Sequence, residues 1–470
     1  MILVEKLLKV LLLSALAASA GCVLSDPPPP SILHSDTYST LTSSEQRTLP
    51  SIEDQVFTLE DAISVGVANS PTYETTKLNL KTAYDTFYKA VFGYLPNVGL
   101  GMTGGLTSGQ SRSSDDRRWA PKDWSRAAGV GGSVNMLLFD GFRREMGLLA
   151  DYANVQRREH DVQFARLTLV NQLIDNYYEL VALKASIAVE EENLAYQRKM
   201  LSDEKFKFKN NVVTYDKVLN FEFKVKQIEI NILKKKLSYK TNGYTLAALM
   251  GLTTAELPDN IQLESLNDLV EKLKREYVLL GVEYYLDLAI DQRPDLKETR
   301  SELQQKKYQL YSAWGAFAPK ISANASYAIA ADDWSRYGGE TMSYGITASW
   351  SLLSAGFSRI FNVRKAQINI DISKQNILKV WIDVVKEVRI AYNDFTTYII
   401  EEKLAARAIE ITRRQRDIVT EKFENQLVSV TRLNEVQSDL IGMQLSYLQA
   451  VVSVFRSKKN LESACGLVLY

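Results

Sequence analysis

The stretch LPNVGLGMTGG, Leu95 to Gly105, carries Gly99, Gly101 and Gly104 at the spacing of a dinucleotide-binding fingerprint. That fingerprint needs a strand before the glycines and a helix after them, so that backbone N–H groups face a pyrophosphate. Here the order is reversed: Phe57 to Tyr94 reads as a long helix, and LTSGQSRSSDDRRW, Leu106 to Trp119, reads as a polar loop. Alternation explains the glycines instead. Val98, Leu100, Met102, Gly104 and Leu106 fall on one side, against Asn97, Gly99, Gly101, Thr103 and Gly105 on the other, which is the period of a strand with one apolar face. GVGGSVNMLLF at Gly129, ISANASYAI at Ile321 and YGITASWSL at Tyr344 repeat the pattern, the last with Tyr344, Ile346, Ala348, Trp350 and Leu352 against Gly345, Thr347, Ser349 and Ser351. Strands that cross a bilayer obliquely need about 9 to 11 such residues. A soluble sandwich with one wet face satisfies the alternation equally well.

Composition narrows the function. The chain has 470 residues, long enough for two or more units, and 56 basic residues balance 56 acidic ones, so no global field attracts nucleic acid. The two histidines, His34 and His160, lie far apart, and no Cys or His cluster has metal-ligand spacing. With no nucleophile elbow or phosphate loop either, the residues predict no enzyme and no cofactor.

The N-terminus, MILVEKLLKVLLLSALAASAGC, has Lys6 and Lys9 before an apolar run from Val10 to Ala18 too short to span a membrane, and reads as an export signal. Two cleavage sites compete. Ala18-Ser19-Ala20 is an ordinary small-residue site, whereas Ser19-Ala20-Gly21-Cys22 resembles a bacterial lipobox, in which the cysteine is lipidated. The polyproline spacer in SDPPPP, Ser25 to Pro30, favours the second reading, because it would hold a domain off a membrane. Cys465 is then the only other cysteine, read as a small buried hydrophobe near a helix end.

A duplication organises the rest. KFKNNVVTYDK, Lys207 to Lys217, aligns without a gap on KFENQLVSVTR, Lys422 to Arg432, and the same shift of 215 positions carries LLFDGFRR at Leu137 onto LLSAGFSR at Leu352. Upstream the shift becomes 223, carrying Pro71 onto Pro294 and Pro96 onto Pro319. Each copy reads helix, strand, loop, strand, very long helix, break, helix. The long helices are predicted from about Phe142 to Lys209 and from Phe357 to Glu424, each extending about 100 Å, lengths that pack as coiled coils.

With these residues in place the chain resembles the TolC family of outer-membrane efflux channels. The resemblance rests on TLEDAISVGVANSPTY opening the first repeat, RPDL at Arg293 opening the second, YLPN and FAPK before the strand pairs, and VVTYDKVL and LVSVTRLN at the helix breaks. Two copies of these motifs in the same order carry it, over about Phe57 to Leu467. The resemblance implies a homotrimer, a 12-stranded transmembrane β-barrel with four strands per chain, continued by a periplasmic α-helical coiled-coil barrel. It also implies an inner-membrane pump and a periplasmic adaptor as partners, and outer-membrane lipid around the strands.

Within this frame Gly99, Gly101 and Gly105 face the lumen, and Trp119, Trp124, Trp334, Tyr337, Tyr344 and Trp350 include interface anchors. The expected division is an export signal at 1–21, a lipidated linker at 22–56 anchored through Cys22, a first repeat at 57–255 with its hairpin at 97–138, an inter-repeat linker at 256–283, and a second repeat at 284–470 with its hairpin at 320–353. The family places adaptor contacts at the helix breaks, here Asn211, Val212, Val213, Gln426, Leu427 and Val428. Because Gln tolerates a left-handed turn less well than Asn, the second break is expected to be the more helical. The family's periplasmic gate falls on Arg432, Glu435 and Asp439, with Asp216 as the next candidate, although Arg432 and Glu435 also make an ordinary intrahelical pair. The function implied is the exit duct of a tripartite efflux system. A protein or peptide secretion component and a structural coiled-coil lipoprotein are the alternatives.

Overall fold

The computed structural model describes residues 56–109, 123–258, 261–273, 279–333, 336–350 and 354–467. The export signal, Cys22, Trp119 and Trp334 lie outside the described residues. The described residues other than Leu252–Thr254 belong to one compact unit.

Strand β1, Val56–Phe57, leads into helix α1, Leu59–Asn69. Its start is a capping box: the Thr58 hydroxyl accepts from the Asp61 backbone N–H at 3.3 Å, and the Asp61 carboxylate accepts from the Thr58 N–H at 2.9 Å. The expected single helix from Phe57 to Tyr94 is broken at Ser70, which is extended, and resumes as α2, Pro71–Phe92. Pro71 has no N–H to continue the ladder and disfavours helical backbone in the residue before it, so the chain restarts with proline at the first helical position.

Next come β2, Asn97–Gly109, β3, Asp123–Phe139, the 67-residue helix α3, Arg143–Lys209, and α4, Tyr215–Leu249. The segment between the repeats holds β4, Gln262–Leu263, which pairs parallel with β1, and the short helix α5, Leu266–Leu273. The second half runs α6, Val282–Gln292, α7, Pro294–Gly315, β5, Lys320–Asp333, β6, Arg336–Ser349, the 71-residue α8, Ser354–Glu424, and α9, Val430–Ala464.

Strands β2, β3, β5 and β6 form one antiparallel sheet in that order. The core lies among the helices. Tyr177 of α3 is fully buried and donates its hydroxyl to the Phe57 carbonyl at 2.8 Å, pinning β1 to the long helix. Phe221 of α4 packs with Val419 and Phe423 of α8 and Leu433 and Val436 of α9 in a cluster beside the two helix breaks. Near the other end of α9, Cys465 is fully buried and donates to the Tyr285 carbonyl, and burial pushes its thiol pKa up to about 11, which leaves it unreactive.

One contact recurs in both halves. Gly251, just past α4, and Gly466, just past α9, both have positive φ. A Cβ on Gly251 would come within 2.4 Å of the Asn69 carbonyl, and one on Gly466 within 2.9 Å of the Arg293 nitrogen. In each half the returning helix therefore ends against the break that precedes the proline helix.

Candidate functional site

The sheet has two chemically distinct faces. Directly opposed residues share a face, so the register Val98↔Val134↔Ala325↔Tyr344 runs one apolar band across the strands, and the row Met102↔Val130↔Ile329 continues it as far as Glu340 of β6. On that band Leu100 is 84% exposed, Tyr344 81% and Ile346 72%, apolar surface that the chain itself does not cover. The other face is small and polar: Gly99 opposes Ser133, the Ser326 and Ser343 hydroxyls bond at 2.8 Å, and Thr347 donates to Asn324 Oδ1 at 3.1 Å. Gly99, Gly101 and Gly105 lie on this polar face. Trp350 departs from the expected alternation. The strand ends at Ser349, and Trp350 donates its indole N–H to the Phe317 carbonyl at 3.0 Å.

At both helix breaks the chain makes the same turn. Asn211 and Gln426 have φ of 57° and 60°. In each, the following N–H reaches back five residues, Val212 to the Lys207 carbonyl at 2.9 Å and Leu427 to the Lys422 carbonyl at 2.8 Å, the bond that defines a Schellman ending. The expectation that the second break is more helical is overturned: its two closing hydrogen bonds and the packing of α9 on α8 hold Gln426 in the left-handed region despite its side chain. Thr214 and Ser429 then start the next helix in extended conformation, with the Ser429 hydroxyl accepting from the Arg432 N–H at 3.2 Å. Val212 is 56% and Leu427 73% exposed, and Val213 and Val428 are half-buried beside them.

Past the second break, Arg432, Glu435 and Asp439 share the exposed face of α9, opposite the buried Leu433, Val436 and Leu440. Arg432 and Glu435 form an ion pair at 2.7 Å. Asp216 is exposed in the first turn of α4.

Two polar groupings escaped the sequence reading. Gln437 of α9 donates to Asn193 of α3 at 3.1 Å, and Gln197 to Asn434 at 3.5 Å, all four residues being buried. Such amides fix the register of one helix on another. Their positions carry a helical period that solvated residues share, so the sequence gives no sign of it. Within the RPDL motif, Arg293 chelates Asp295 through two bonds of 3.0 and 2.6 Å and reaches Glu387 at 2.7 Å, joining α7 to α8. Burial opposes its charge, but Asp295 and Glu387 together hold the guanidinium pKa above its ordinary value.

Among the described residues no helix is long and apolar enough to cross a membrane, and no group of three His, Cys, Asp or Glu side chains is arranged to hold a metal ion.

The family described as outer membrane efflux protein matches residues 62–252 and 285–467. No curated protein sequence matches the chain. Among solved structures, a membrane protein from Pseudomonas aeruginosa superposes with a TM-score of 0.76 at 16% identity, covering 87% of this chain and 93% of that one. The CmeC outer membrane channel of Campylobacter jejuni gives 0.74 at 16% identity over 87% and 85%. The outer membrane protein VceC of Vibrio cholerae gives 0.73 at 15% identity over 87% and 96%. At these identities the likeness is one of fold.

Proposed function

The chain belongs to the outer membrane efflux protein family, and from that premise we propose that it is the passive exit duct of a tripartite export system, a homotrimer anchored in the bacterial outer membrane. One observation carries the reading: a four-stranded sheet with an uncovered apolar face and two unpaired edge strands, β2 and β6, joined to long helices. Four strands cannot close a barrel, eight fill with side chains, and twelve leave an aqueous bore, so three chains are needed.

The helices also call for neighbouring copies. On α4, Leu219, Phe223, Ile230, Leu233, Leu237 and Tyr244 are exposed at alternating heptad spacing, with Lys226 and Lys240 at the intervening positions. On α8, Ile400, Leu404, Ile411 and Ile418 make a second exposed stripe. Pairing α4 of one copy with α8 of the next would be head-to-tail, the kind of contact that builds rings when its rotation closes.

In this reading the internal duplication supplies two hairpins per chain to the barrel, and Cys22 carries lipid at the membrane surface. Val212 and Leu427, displayed on their left-handed turns with Asn211, Val213, Gln426 and Val428, receive a periplasmic adaptor linked to an inner-membrane pump. Glu435 and Asp439 ring the narrow end, where like charges around a small bore focus the field. Arg432 partly neutralises that ring, and Asp216 is the alternative acidic position.

Conductance tests the duct. Purified protein in planar bilayers is expected to conduct, and Glu435→Ala with Asp439→Ala to raise conductance and abolish block by divalent cations. Protein that never conducts, even with these substitutions, refutes the duct, and unchanged block moves the ring elsewhere.

A further inference from the structure

At the foot of the sheet, where strands give way to helices, lies a cleft of about 430 Å³ whose lining includes Asp140, Arg143, Lys320, Trp350 and Arg359. The register fixes its side: Leu137 opposes Ser322 and Lys320 opposes Ser349, all on the polar face, so the cleft opens away from the apolar band. Arg143, Lys320 and Arg359 line it beside a single carboxylate, Asp140. Asp140 Oδ1 accepts from the backbone N–H groups of Arg143 and Arg144 at 3.1 and 3.3 Å, capping α3. The side chains of Arg143 and Lys320 enter no ion pair among the described residues.

Two further features sharpen the potential. The N-terminal turn of α3 reaches the cleft at Arg143 and adds the positive end of a 67-residue helix, while Arg359 comes from the second turn of α8. The groups are also rigidly held: a Cβ on Gly141 would come within 2.2 Å of the Gly315 carbonyl, so the start of α3 and the end of α7 touch backbone to backbone. Trp350, with its indole N–H on Phe317, supplies a flat apolar wall. Toward the middle of the sheet the polar face holds small or neutral side chains, as at Ser133, Asn324 and Thr347.

We propose that this cleft is a binding site for water-soluble organic anions, its cations holding a carboxylate, sulfonate or phosphate group and Trp350 covering an aromatic body. Its place along a transport path rests on the duct reading above, in which three copies ring the passage where the barrel meets the helices. The site would then favour anionic cargo.

Pyrene tetrasulfonate, an aromatic polyanion, is the probe, followed by fluorescence anisotropy with the detergent-solubilised full chain at low salt. Binding is expected, with release by added salt and by phosphate but not by uncharged pyrene. Lys320→Gln and Arg143→Gln should each weaken binding about tenfold, the cost of losing one charge-assisted contact, while Lys320→Arg retains it. Absence of binding by the wild type, or wild-type affinity in both glutamine variants, overturns the site. Conductance on the same preparation separates the two ideas. Protein that binds the probe but never conducts refutes the duct and leaves the site standing, and protein that conducts without binding does the reverse.

Discussion

The seam between copies gives the sharpest test of assembly. Leu233 and Leu237 on α4 are 70% and 67% exposed in the single chain, so substituting them leaves the protomer's own core untouched. Full burial of a leucine side chain contributes about 2 kcal/mol, so covering two thirds of each stabilises a seam by about 1.3 kcal/mol per residue, about 2.7 for the pair. A closed ring of three has three such seams, and Leu233→Gln with Leu237→Gln then removes about 8 kcal/mol, some six decades in the assembly constant. Glutamine keeps a helix propensity close to that of leucine, so α4 itself is preserved. Mass photometry of detergent-solubilised protein, diluted from micromolar to nanomolar, should show trimers for the wild type and monomers for the double variant. Phe206→Gln, at an exposed apolar residue outside the stripe, is the control and should stay trimeric. A double variant as trimeric as the wild type at every dilution refutes the assignment of this stripe to the seam.

Burial, with the Asp161 carboxylate beside it, raises the Glu298 pKa from 4.5 to about 7. A raised carboxyl contributes stability that is complete below its unfolded pKa and is lost as pH climbs through its folded one, so the wild type should lose stability from about pH 4.5 to 7 relative to Glu298→Gln. Solvent access limits the difference to about 1 kcal/mol, and parallel urea midpoints for the two proteins across that window would show the pair to be inert. Photocrosslinkers at Val212 and Leu427 should capture an adaptor protein in cells. No capture, together with intact export by Val212→Asp and Leu427→Asp, removes the breaks as the docking site. Mass spectrometry of the mature N-terminus should find an acylated Cys22, lost in Cys22→Ser, whereas an unmodified chain beginning at Gly21 excludes the lipid anchor.

The strands were legible because their two faces meet different surroundings, so Val98, Leu100 and Met102 alternate with Asn97, Gly99 and Gly101 without exception. The helix breaks were legible as positions, since polar residues interrupt the period twice at the same spacing. Their geometry was not: single-residue preference ranks Gln426 below Asn211, yet both turn left-handed, because two returning hydrogen bonds and a packed neighbouring helix outweigh a side-chain penalty of about 1 kcal/mol. The break at Ser70 went unread because apolar residues keep their helical spacing across Pro71. Contacts between residues distant in the chain, such as Asn193 with Gln437, and the cationic cleft assembled from Arg143, Lys320 and Arg359, leave no periodic trace at all.

The open edges of the sheet also set an order on the protein's biogenesis. Strands β2 and β6, of 13 and 14 residues, each pair on one side only, so half of their backbone donors and acceptors point outward without a strand to meet them. In hydrocarbon each such group costs several kcal/mol, far more than the apolar band returns. In the duct proposed above, a lone chain would therefore have no stable inserted state, and insertion would accompany or follow the meeting of three chains. Until then the same edges are templates for wrong pairing, and in that proposal a carrier that shields β2 and β6 before assembly would raise the yield of inserted protein without altering the finished structure.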